Sequence, residues 1–198
     1  NGSGGDVWIM RNKKYPEMIA EESVSIRAVK RVYQELSGVD ASALTPKDIF
    51  DIAEGKAEGN QQAAIQSFNE LGEMAGDGII RALNIVDGMV VIGGGVVGAA
   101  KYILPGIMQE MNRQIGTFAG ASFPCLQMEV FNLSDPESFE AFLKEKNKMV
   151  DVPFSDKQVP YACHKKIGIA VSSLGASKAI ALGAYSFALA QLDLSNNA

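Results

Sequence analysis

Val91-Ile92-Gly93-Gly94-Gly95-Val96-Val97-Gly98-Ala99-Ala100 is the stretch on which the reading of the fold turns. Met89-Val90-Val91-Ile92, between Gly88 and Gly93, is a short apolar run that reads as a buried strand. After the glycines a helix is expected from about Gly98 to Gly116, broken or restarted at Pro105. Taken alone, Gly93-x-Gly95-x-x-Gly98 matches the dinucleotide fingerprint, in which a helix N-terminus faces a pyrophosphate. That fingerprint also wants an acid about 20 residues further on, ending the next strand. The window here holds Glu110 inside helix-like sequence, followed by Gly116-Thr117-Phe118-Ala119-Gly120. A Rossmann-type FAD or NAD oxidoreductase is therefore kept as an alternative, beside a strand–turn–helix junction with no ligand.

Outward from this turn, helical patterning dominates. Ile65, Phe68, Gly72, Ala75, Ile79, Ala82 and Val86 recur by threes and fours, giving a long helix from about Gln61 to Val86. Gly72, Gly76 and Gly78 each cost about 1 kcal/mol against alanine in a helix. Their presence implies that another backbone lies very close, or that the helix bends. Upstream, Ile26, Val29, Val32, Tyr33 and Leu36 mark a helix over Glu21–Leu36, stopped at Ser37-Gly38. Thr45-Pro46 supplies an N-cap and a first-turn proline for a second helix running to Gly55. Downstream, Leu126–Leu133 suits a strand, and Ser134 with Glu137 reads as a capping box opening a helix over Asp135–Asn147. Ile167–Val171 is a further strand, and Ser173–Leu192 a closing helix rich in small residues. The pattern is α/β and helix-rich, with its strands separated by long helical excursions.

Composition narrows the function. The 198 residues are enough for one domain or two small ones. Lys+Arg 18 against Asp+Glu 23 gives a net charge of −5, which argues against nucleic acid or an anionic membrane as partner. Cys125 and Cys163 stand far apart without a CxxC, and His164 is the only histidine, so no Cys/His zinc cluster is expected. The run Met89–Ala100 falls well short of the roughly 20 residues of a membrane-spanning helix, and a cytoplasmic protein is expected. The chain opens Asn1-Gly2-Ser3-Gly4-Gly5-Asp6 without an initiator methionine, so a processed or truncated piece is expected.

The stretch Leu83-Asn84-Ile85-Val86-Asp87-Gly88-Met89-Val90-Val91-Ile92-Gly93-Gly94-Gly95-Val96, with the glycine-bearing helix before it, resembles the second half of the ROK family. That family groups bacterial sugar kinases, glucokinases prominent among them, with sugar-responsive repressors. The closing Ser173-Leu174-Gly175-Ala176-Ser177-Lys178-Ala179-Ile180-Ala181-Leu182-Gly183-Ala184 is similar to the family's last helix. Gly175, Ala179 and Gly183 lie four apart there, leaving one face of nearly bare backbone for a neighbouring helix. The resemblance implies a ribonuclease H-like lobe of actin–hexokinase type with a mixed sheet. It further implies that Gly93, Gly94, Gly95 and Val96 lie against the adenosine of ATP.

Two acids follow from the same resemblance. Gly4-Gly5-Asp6-Val7-Trp8-Ile9 sits where the family has "aGEiGH", which places Asp6 at a sugar-binding glutamate, with Ile9 in place of the histidine. Glu21-Glu22-Ser23-Val24-Ser25 fits "cle..aS" and places Glu21 at the second sugar-binding glutamate. Where the family carries its zinc-binding cysteines, this sequence has Met10-Arg11-Asn12-Lys13-Lys14-Tyr15-Pro16-Glu17, so no structural zinc is expected. The "DxGGT" phosphate loop and the "ND" catalytic aspartate of the family do not occur in the 198 residues, and no catalytic residue is assigned. The expectation is one unit, residues 1–198, forming the C-terminal lobe of an ATP- and Mg-dependent hexose kinase, inactive alone and homodimeric when complete. A sugar-sensing repressor half is the second reading.

Overall fold

The computed structural model describes residues 7–145 and 147–196. Four helices form its body. The first, α1 (Ile26–Ser37), is capped by the Ser25 side chain, which accepts from the Ala28 N–H, and stops at Gly38 with φ 73°. Its start is five residues later than the periodicity suggested. Ala20–Glu22 instead form a separate 3-10 turn, with Ser23 as its C-cap. Next, α2 (Pro46–Ala53) opens with Thr45 and Asp48 exchanging backbone and side-chain hydrogen bonds, a full capping box.

The long α3 (Gln61–Leu83) and α4 (Ala100–Met111) form the closest helix pair. A Cβ on Gly72 would stand 2.0 Å from the Ile103 carbonyl oxygen, and one on Gly106 would stand 2.2 Å from the Asn69 carbonyl oxygen. The costly glycines of α3 are thus explained in part by backbone-to-backbone contact. Gly76 makes room for the Glu110 side chain, whose Cβ would lie 2.9 Å from an added methyl. Gly78 faces open space and is not a packing glycine. Contrary to the expected break, α4 runs through Pro105. The carbonyl that loses its donor is that of Lys101, on the exposed face, where water can replace the missing N–H.

Between these helices lies β1 (Val90–Ile92). The remaining strands and α-helices are β2 (Gln114–Gly116), β3 (Ser122–Pro124), β4 (Glu129–Asn132), α5 (Pro136–Leu143), β5 (Asn147–Asp151), β6 (Gln158–Ala162), β7 (Lys166–Val171) and α6 (Ala176–Asn196). The main sheet has the order β1-β7-β4, all parallel, with Val90 opposite Ile169 and Asn132 opposite the same Ile169. Two antiparallel hairpins, β2–β3 and β5–β6, complete a mixed α/β, helix-rich fold. The core joins the helices to the sheet through Val29, Tyr33, Ile49, Phe68, Ile107 and Ile169.

Three expectations are corrected. The helix after β4 is capped by Asp135, which accepts from the Ser138 N–H, not by a Ser134–Glu137 box; the Ser134 N–H donates to Asn132. That helix ends at Leu143, because residues from Asn147 onward pair as β5. Finally, the small-residue face of α6 meets no neighbouring helix among the described residues. Its side chains are exposed from Ala176 to Ser195, and an added Cβ on Gly175 or Gly183 would meet nothing within 4 Å.

Candidate functional site

The glycine turn leaves β1 at Ile92, whose carbonyl accepts from the Ser172 N–H at 2.8 Å. Gly94 takes φ 101°, a conformation that costs a residue with a Cβ. Gly94, Gly95 and Gly98 have no protein atom within reach of an added Cβ, and Gly93 only the Ser172 Cβ at an ordinary 3.7 Å. These glycines therefore answer to no packing demand, unlike Gly72 and Gly106. They present bare backbone to open space.

Two cavities border the turn. One, of about 240 Å³, lies between the turn and α2, with Lys47, Phe50, Gly95, Val96 and Gly98 among its walls. Phe50 is set edge-on to both Phe68 and Tyr102. Lys47 pairs with Asp51 one turn along α2. Behind it, Glu54 accepts from Lys101 and from the Tyr102 hydroxyl, and these bonds hold its carboxyl below the usual range. The second cavity, of about 330 Å³, is lined by Gly93, Gly95, Val96, Val24, Ser25 and Ala75, among others.

Glu21 opens on a third cavity, of about 260 Å³, with Val7, Trp8, Val24, Met74, Ala75, Gly78 and Ile79 around it. Among the described residues it is the only charged one in that lining. Gly78, which no packing contact explains, forms part of this wall. The neighbouring Glu22 makes the tighter pair with Arg27, 3.0 Å against 3.5 Å for Glu21. Val24 and Ala75 line both this cavity and the second one, so the glutamate and the glycine turn are served by adjoining spaces. Of the residues singled out in the sequence, the structure therefore brings Glu21 near Gly93, Gly95 and Val96. Gly94 shapes the turn and is not in the lining of these three cavities, and Asp6 lies outside the described residues.

Sequence reasoning missed a cluster of ions beside this site. Glu110 on α4 is 2% exposed, and its carboxylate accepts from Lys13 at 2.7 Å and from Arg113 at 2.9 Å. Lys13 also donates to Glu73 on α3 at 2.6 Å. Burial pulls the Lys13 ammonium down, but the hydrogen bonds and charges of Glu110 and Glu73 outweigh it and leave its pKa raised. The only available signal was Glu110 itself, a charge on an otherwise inward face of its helix.

No group of three or more His, Cys, Asp or Glu side chains among the described residues could hold a metal ion. Nor does the dinucleotide reading find its acid: the next strand of the main sheet along the chain, β4, ends at Asn132, and β7 separates it from β1. No helix among the described residues is long and apolar enough to cross a membrane.

The mixed, helix-rich α/β architecture is that of a glucokinase-like fold of actin–hexokinase type. Residues 19–135 match the model of the ROK family, and the chain belongs to that family. It is similar to the solved structure of a glucokinase from Parabacteroides distasonis, with 52% identity, a TM-score of 0.82, and coverage of 94% of this chain and 50% of that one. The chain thus spans half the length of that glucokinase. A second solved structure, a putative sugar kinase from Cytophaga hutchinsonii, shows 24% identity over 56% of this chain and 38% of that one, with a TM-score of 0.46. Comparison with curated proteins gives no match.

Proposed function

We propose that this chain is the C-terminal part of an ATP-dependent hexose kinase that phosphorylates the sugar 6-hydroxyl. In that reaction the γ-phosphorus leaves its bridging oxygen for the sugar oxygen, ADP departs, and the hydroxyl proton passes to a general base, a role to which no residue of this chain is assigned. Such transfer depends on positioning and charge neutralisation, with little covalent work for the protein. This chain contributes the positioning. Glu21 accepts a hydrogen bond from a sugar hydroxyl, with Asp6 as the second acceptor. The backbone of Gly93–Val96 lies against adenosine, which the Phe50 wall and the absence of Cβ atoms suit. Magnesium supplies charge neutralisation at the phosphates, and no described residue of this chain is assigned to it.

The observation that carries the reading is the adjacency of the Glu21 cavity to the glycine turn through Val24 and Ala75. The likeness to a glucokinase over 94% of this chain supports it. The test is Glu21→Gln in the complete enzyme. Losing a charge-assisted hydrogen bond weakens hexose binding by about 10-fold or more. The control, Glu22→Gln, breaks only an exposed pair with Arg27 and leaves hexose binding within about twofold. Equal effects at the two positions, or none at Glu21, would remove Glu21 from the sugar site.

A further inference from the structure

We propose that Lys13 is a positioning residue of the sugar site: its ammonium anchors the loop that carries the glutamate wall to α3 and α4 together. The proposal rests on the reading of Glu21 as a sugar ligand.

The loop fully buries no apolar side chain. Between residues 7 and 23 the only buried side chains are Asn12 and Ser23, both polar, and they bond each other at 2.8 Å. The loop closes on itself: the Asn12 N–H donates to the Met18 carbonyl at 2.9 Å, and the Ala20 N–H to the Met10 carbonyl at 2.7 Å. Asn12 Nδ2 also reaches the Ile19 carbonyl at 3.2 Å. Residues 10–12 and 18–20 therefore move as one piece, and Glu21 follows directly on Ala20. This piece is tied to the body by polar contacts: Arg31 on α1 donates to the Tyr15 hydroxyl at 3.1 Å and to the Glu22 carbonyl at 3.4 Å, and on the other side the tie is charge. Lys13, next to Asn12, bridges Glu73 and the buried Glu110.

The ion cluster is not needed to join α3 to α4, because Gly72 and Gly106 already bring those backbones into contact. Glu110 also keeps Arg113 as a partner if Lys13 is lost, so its charge stays compensated. Removing Lys13 thus frees the loop without emptying the core. Lys14 pairs with Glu70 on α3, but its own side chain is 46% exposed against 24% for Lys13, and it bridges no second carboxylate. Arg31 stacked over Tyr15, 4.9 Å from the ring centre, tethers the far side of the loop to α1.

The experiment compares Lys13→Met, Lys13→Arg, Lys14→Met and Glu21→Gln in the complete enzyme, with D-glucose and ATP. Lys13→Met is expected to raise the KM for glucose about 10-fold while the KM for ATP stays within about twofold, and Lys13→Arg restores most of the loss. Lys14→Met leaves both constants within about twofold. If Lys13→Met does not fold, Glu73→Gln decides. It keeps the pair with Glu110 and loosens the anchor, and is expected to raise the glucose KM about threefold. If Glu21→Gln raises the glucose KM and neither anchor variant does, Lys13 has no positioning role. A fall in ATP affinity equal to that in glucose affinity overturns the proposal as well. If Glu21→Gln itself changes nothing, the sugar-site reading falls first and takes this proposal with it.

Discussion

Gly72 and Ile103 touch through their backbones: a Cβ on Gly72 would lie 2.0 Å from the Ile103 carbonyl oxygen. A methyl group cannot be accommodated there unless α3 and α4 separate. Gly72→Ala should therefore destabilise the protein by about 3 kcal/mol or abolish folding, an overpacking effect that outweighs alanine's better helix propensity. Gly78→Ala, six residues along the same helix, meets nothing and should stabilise by about 0.5–1 kcal/mol. Urea unfolding midpoints of the two variants, measured side by side, check the contrast. Similar shifts would mean that the helices do not approach as described.

The glycine turn makes a separable prediction. Gly94 has φ 101°, and a β-branched residue is strained at that angle. Gly94→Val in the complete enzyme should raise the KM for ATP at least about fivefold and leave the KM for hexose nearly unchanged. An unaltered ATP constant would reduce the turn to a simple connection between strand and helix.

The chain by itself should not turn over. Its 198 residues contain neither the DxGGT loop nor the ND aspartate that the family resemblance calls for. A coupled assay for ADP release with glucose, mannose and N-acetylated hexoses should read background. Turnover above background would place the phosphate cradle and the base somewhere in these residues.

The cap of α2 gives a pH dependence with a defined sign. Hydrogen bonds from the Thr45 backbone and hydroxyl hold the Asp48 carboxyl below its ordinary 3.8. A carboxyl depressed on folding stabilises the native state above its unfolded value, and the contribution is lost as pH falls through the lower folded value. Asp48→Asn should therefore cost stability near neutrality and flatten the acid limb of the stability curve below about pH 4. Thermal melts between pH 2 and 7 show whether the two curves converge at low pH; parallel curves would contradict the assignment.

How far the sequence revealed all this depends on whether each feature left a local trace. Thr45-Pro46 announced α2 because capping is a contact between near neighbours, and Thr45 and Asp48 carry it out. The glycines of α3 announced a close neighbour, which α4 turned out to be. The hairpins β2–β3 and β5–β6 escaped notice because both are largely exposed on both faces, so no alternation of apolar and polar residues marks them. The start of α1 was misplaced because Glu21 and Glu22 continue its helical composition while forming a separate 3-10 turn. The Lys13–Glu110 contact joins residues 97 apart, and no spacing rule reaches that far. Glu21 was legible only through resemblance; its cavity arises from residues on the N-terminal segment and on α3, which meet only in the folded chain.

The bare outer helix has a practical outcome at the bench. Twenty-one residues of α6 make a rod about 30 Å long, and Ile180, Tyr185, Phe187, Leu189 and Leu194 stand in water along it. A helix apolar all round is ordinarily a buried one. Handled on their own, these 198 residues should cling to each other and to plastic as concentration rises. Titrations with nucleotide or sugar are therefore to be run across a dilution series, since a curve bent by clumping imitates one bent by ligand.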